Sequence, residues 1–139
     1  MVRAYRKTIT RQRQRYIPKW QRGFVLDIAK DVRSEADCDV VGACDDLSKI
    51  LHERLKEAGI QSSVIHGYWV GPLRKNYAED AADWYVESER YPPHTWVSIP
   101  RGDGTIVDVT ADQFSSRIPA VWFPANKKFY RRCNVHYLT

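Results

Sequence analysis

No run of this chain approaches the ~18 consecutive apolar residues of a membrane span, and the N-terminus carries arginines without the apolar stretch of a signal peptide. Both absences predict a cytoplasmic chain with no membrane-embedded part. Cysteine is scarce: Cys38, Cys44 and Cys133 are an odd set without short paired spacing, which argues against a disulfide framework and suits a reducing compartment. No glycine-rich phosphate loop follows a strand, so no nucleotide cofactor is expected, and no other cofactor is called for. Acid is missing from residues 1–22, which hold Arg3, Arg6, Lys7, Arg11, Arg13, Arg15, Lys19 and Arg22. Residues 127–139 add Lys127, Lys128, Arg131 and Arg132, again without an acid. The span between keeps ten of the 22 bases and all 17 acids, a net of −7. An acidic body thus lies between two basic ends, which either offset its charge as solvated arms or make a patch for an acidic partner or nucleic acid.

What is present is enough for one core. A chain of 139 residues that is 43% hydrophobic is expected to form a single domain. Residues 1–15 alternate Arg and Gln without hydrophobic period and predict a flexible arm, leaving 16–139 as the domain. Trp20, Phe24, Ile28 and Val32 recur at steps of four, with Val25 and Ala29 beside them, and predict an amphipathic helix over 20–32. After a polar connector in which Cys38 is an incidental thiol, residues 41–60 predict the central helix. Leu47, Ile50, Leu51, Leu55 and Ala58 form its core face, and Lys49, Glu53, Arg54, Lys56 and Glu57 face water. Gly42 permits a sharp turn before it and Gly59 a left-handed stop after it.

The second half is strand-like. The β-branched and aromatic run 61–70 predicts a strand, and residues 73–93 a long acidic loop with a short helix near 79–84. Alternation over 94–99 and 105–110, joined by Pro100-Arg-Gly-Asp-Gly104, predicts an antiparallel hairpin. The tail 111–139 is apolar enough to pack back and add a strand.

Cys44 stands at the mouth of the central helix, where free amides and the helix dipole favour a thiolate. Asp45 and Asp46 suit the first turn but oppose that thiolate, so the chemistry needs a cationic histidine nearby. The hairpin supplies one. It sets His94, at the start of its first strand, near Asp108, at the end of its second, within hydrogen-bonding reach. A thiol, an imidazole and a carboxylate are the parts of nucleophilic acyl transfer. Singly each has a plainer reading, as inert thiol, surface histidine or turn-capping carboxylate; the ordered combination points to chemistry. Cys133-x-x-His136 has ligand-like spacing without partners, so no metal site is expected. His66 is read as ending a strand and His52 as surface.

These residues resemble a known family. Gly42-Ala-Cys-Asp-Asp-Leu, the helix, Ala58-Gly-Ile60 and His66-Gly-Tyr68 are similar to the core of the transglutaminase-like superfamily. There a Gly-x-Cys turn opens a helix that ends in Gly-Ile, before a strand ending in Gly-Tyr. His94-Thr-Trp-Val resembles its histidine strand and Val107-Asp-Val-Thr110 its aspartate strand, so the likeness covers residues 40–110. It implies a papain-like α+β fold, with N-terminal helices and the nucleophile helix packed on a small antiparallel sheet. It implies Cys44 as nucleophile, His94 as general base and acid, and Asp108 as the group orienting His94. The oxyanion would be held by the Cys44 amide and one upstream donor, for which Gln21 or Trp20 stand. Trp69, Trp84 and Trp96, with the acidic loop, are candidate cleft walls. A chain this small is expected to be without the extra domains and calcium sites of large animal transglutaminases, which makes amide hydrolysis a simpler expectation than crosslinking. The function expected is a thiol-dependent amide hydrolase or acyl transferase acting on a protein or peptide. The alternative is a non-catalytic binding module whose basic ends hold nucleic acid or an acidic partner.

Overall fold

The structure, a computed structural model, describes residues 19–36, 43–77, 91–100 and 104–133, with the side chains of 19–21 excepted. The basic arm over 1–15, Cys38, Gly42, the 79–84 helix with Trp84, and His136 therefore lie outside the described residues. Within them the protein is α+β: two helices and a four-stranded antiparallel sheet. Helix α1 spans Lys19–Ser34 and α2 spans Cys44–Glu57. The strands are β1 (Ser63–Trp69), β2 (Pro93–Ile99), β3 (Thr105–Val107) and β4 (Tyr130–Arg132), in the order β3-β2-β1-β4.

Packing selects one stripe on each helix. On α1 the buried residues are Val25, Ala29 and Val32, while Phe24, expected in the core, is 43% exposed. Apolar residues at both 24/28 and 25/29 leave the period ambiguous by one helical step of rotation, and contact with α2 resolves it. On α2, Leu47, Leu51 and Leu55 are buried against β2, whereas Ile50 (42% exposed) and Ala58 are not part of the core face predicted for them. The helix stops as its sequence predicts. Gly59 adopts a φ of 81°, and the Ile60 N–H closes on the Leu55 carbonyl at 2.8 Å, the two marks of a left-handed helix end.

The central pair β1 and β2 sets Gly67 opposite His94, and β2 pairs Val97 with Val107 of β3. Alternation then gives the sheet two apolar faces. Val97, Ile99 and Val107 join both helices in one core, while Trp69, Phe114 and their neighbours form a second, aromatic core that includes β4. His66 lies in the middle of β1, not at its end. The second hairpin strand is shorter than predicted: β3 stops at Val107, and Asp108 instead exchanges backbone hydrogen bonds with Trp122, at 2.9 and 2.8 Å. The tail does add a strand, β4, antiparallel to β1. Arg33 ties α1 to the segment after Asp108, its guanidinium donating to both carboxylate oxygens of Asp112 (2.7 and 2.6 Å) and to the carbonyls of Val109 (2.9 Å) and Ala120 (3.0 Å).

Candidate active site

The hairpin brings together two residues fourteen apart in the chain. The Val97–Val107 register leaves Asp108 just beyond the end of β3, facing the start of β2, where its Oδ2 lies 2.6 Å from His94 Nε2. Neither side chain has any solvent exposure. A buried carboxylate needs donors at both oxygens. Among the described residues Asp108 has three: His94 Nε2–H, the Tyr130 hydroxyl at 2.7 Å to the same Oδ2, and the Thr110 backbone N–H at 3.0 Å to Oδ1. Burial by itself would raise the Asp108 pKa, but the charge and hydrogen bond of His94, with the Thr110 and Tyr130 donors, hold it below the usual carboxylate range. Burial pushes the Tyr130 phenol far above its ordinary value, and the Asp108 charge pushes the same way. The phenol is therefore a donor at any working pH.

An ionised Asp108 accepts and cannot donate, so the hydrogen between it and His94 sits on Nε2. Nδ1 is left as the nitrogen free to accept or release a proton, and among the described residues it is buried without a hydrogen-bond partner. Cys44 lies near enough to act on the same ring. Burial would depress the His94 pKa, but Asp108 first and the nearby Cys44 second overcome it and raise it to about 9. At neutral pH the ring is thus an imidazolium, the counter-ion that a thiolate requires. The thiol is close enough to the ring to favour its protonated form. Cys44 itself is half-buried and the first residue of α2, and no side chain among the described residues caps that helix end.

Local contacts hold the helix mouth over the strand. The Ser48 hydroxyl donates to the Thr95 carbonyl at 3.2 Å, and the Thr95 hydroxyl reaches Asp45 at 3.4 Å. Asp45, read from the sequence as opposing a thiolate, is taken up by Lys49 at 3.0 Å and by His66 at 3.5 Å. His52 is also more than surface: half-buried, it shares a hydrogen bond with Ser62 at 2.8 Å.

The imidazole sits in an aromatic box. Phe114 meets it edge-on at 4.8 Å between centroids and Trp69 edge-on at 6.1 Å, with Trp96 at 5.8 Å and Tyr130 at 6.0 Å. This corrects the expectation for two tryptophans. Trp69 (0% exposed) and Trp96 (2%) are not cleft walls but packing behind His94, because alternation turns both into the aromatic core. Trp84, the third, lies outside the described residues, as do the side chains of Trp20 and Gln21, whose backbone forms the first turn of α1.

The chain matches no protein-family model, no curated protein and no solved structure. Among the described residues no group of three His, Cys, Asp or Glu side chains is arranged to hold a metal ion, and no helix is long and apolar enough to cross a membrane. The sequence reading missed Tyr130 and Thr110. Thr110 follows Asp108 by two residues, the spacing at which an Asp side chain accepts a local backbone N–H, so that contact had a signal. Tyr130 had none: it is one aromatic residue in an apolar tail, and only the β1–β4 pairing carries it to Asp108.

Proposed function

We propose that this protein is a thiol-dependent amide hydrolase or acyl transferase acting on a protein or peptide through Cys44, His94 and Asp108, with a transglutaminase-like, papain-related arrangement of its helix and sheet. The observation that carries the reading is the buried His94–Asp108 pair, whose second ring nitrogen is left for the thiol at the start of α2. In the reaction, the Cys44 thiolate attacks the amide carbonyl and a C–S bond forms. His94 gives its Nδ1 proton to the nitrogen as the C–N bond breaks, and the amine leaves. Water, or a second amine, then loses a proton to Nδ1 and attacks the thioester; the C–S bond breaks and the sulfur leaves as the thiolate beside the reprotonated imidazolium. Asp108 keeps Nε2 protonated throughout. The uncapped amides of the first turn of α2 are donors for the oxyanion of each tetrahedral intermediate.

The test is iodoacetamide labelling at neutral pH, read by intact mass and peptide mapping. Cys44 should react faster than Cys38 and Cys133, and His94→Ala should remove the advantage. Equal rates for the three thiols would refute the reading.

A further inference from the structure

We infer that the Tyr130 hydroxyl is a positioning group for this site: it holds the Asp108 carboxylate so that the His94 tautomer is fixed, and it limits how strongly that carboxylate draws the imidazole's proton. The inference deepens the proposed function and rests on reading Cys44, His94 and Asp108 as the reacting cluster. Its basis is one oxygen. Asp108 Oδ2 takes the His94 Nε2–H at 2.6 Å and the Tyr130 O–H at 2.7 Å, while Oδ1 takes, among the described residues, the Thr110 N–H at 3.0 Å. Two donors on one buried lone-pair set compete, and each shares charge that the other would otherwise use.

The direction of the effect follows from charge. When His94 is protonated, the His–Asp pair is neutral overall; when the ring is neutral, the pair keeps a full negative charge at a position with no solvent exposure. The Tyr130 donor stabilises the second state more than the first. Losing it therefore favours the imidazolium and moves His94's titration upward. Among the described residues, the titratable groups facing the ring are Cys44 from α2, Asp108 after β3 and Tyr130 from β4; Trp69 of β1, Trp96 of β2 and Phe114 carry no charge. Packing is separable from hydrogen bonding here. The Tyr130 ring lies 5.0 Å from Trp96 and 5.4 Å from Trp69, contacts that Tyr130→Phe retains.

The experiment uses the full chain with isotope-labelled histidine and follows the His94 ring by NMR against pH, with the pH profile of Cys44 labelling alongside. Tyr130→Phe should raise the His94 midpoint by about one pH unit, the scale of one hydrogen bond to a buried charge, and carry the alkaline limb of the labelling profile with it. Replacing Tyr130 by 3-fluorotyrosine, a stronger donor of similar shape, should move both the opposite way. A His94 midpoint unmoved in both variants overturns the inference. Uniform labelling of the three cysteines in the unmodified chain overturns the catalytic reading instead, and is seen on a different signal.

Discussion

Raising the pH through the range between 6.5 and about 9 should weaken the fold, and His94 is the cause. In the unfolded chain the imidazole loses its proton near its ordinary value of 6.5; in the folded protein it keeps that proton up to about 9. Below both values each state is protonated, and the stabilisation from the Asp108 pairing is fully present. Between them the folded state binds one more proton than the unfolded, so each pH unit removes about 1.4 kcal/mol of stability. Across the window the loss amounts to about 3 kcal/mol, a large share of the ~5–15 kcal/mol that holds a domain of this kind together. The group has no solvent exposure, so screening by water does not dilute the effect. The Asp108 contribution has the opposite sense: it is present above the ordinary carboxylate pKa and lost as pH falls through the lower folded value. It is the same interaction seen from its other partner and is not counted twice. Urea unfolding at half-unit steps from pH 6 to 9.5, with Cys44→Ala as a companion that removes the thiol, measures the slope. A free energy of unfolding that is flat or rising from pH 6.5 to 9 in both proteins would refute the assignment of a charged His94 in the folded state.

Three further outcomes follow from particular contacts. Asp108→Ala leaves the His94 Nε2–H, the Tyr130 hydroxyl and the Thr110 N–H buried without their acceptor, and should cost about 3–5 kcal/mol in chemical denaturation. Gly67→Ala should lower the melting temperature sharply, by about 2 kcal/mol or more of stability. The new Cβ would stand 2.7 Å from the Trp96 ring and press on the Arg131 carbonyl, so β1 and β4 would have to separate. Arg33→Lys should lose about 1 kcal/mol and fail to rescue Arg33→Ala in thermal melts, because a single ammonium cannot reproduce the two-oxygen grip on Asp112 together with the Val109 and Ala120 carbonyls.

Much of the fold was legible in local pattern. The 3.6-residue period located both helices, the alternation over 94–99 marked β2 to within one residue, and Gly59 announced the end of α2. The rotation of each helix was not legible. Phe24 and Ile50 are as apolar as the residues that were buried in their place, and a single sequence carries no record of which neighbour a helix will meet. Strand ends were blurred for a similar reason: residues 107–110 alternate as a strand does, but Trp122 takes the backbone of Asp108 and ends the ladder at Val107. Within the candidate site, the hairpin pattern was enough to suggest that His94 and Asp108 meet. Nothing local indicated that a tyrosine from the tail would join them.

The amino-acid sequence by itself determined where α1, α2, β1 and β2 lie, that Cys44 opens a helix, and that a histidine and an aspartate stand at the ends of a hairpin, because each of these depends on residues close along the chain. Only the tertiary structure decided the burial of Trp69 and Trp96, the third donor on Asp108 and the charge on His94. Those depend on which distant groups displace water around a side chain, and the energy of a charge is set by that surrounding far more than by its neighbours in sequence.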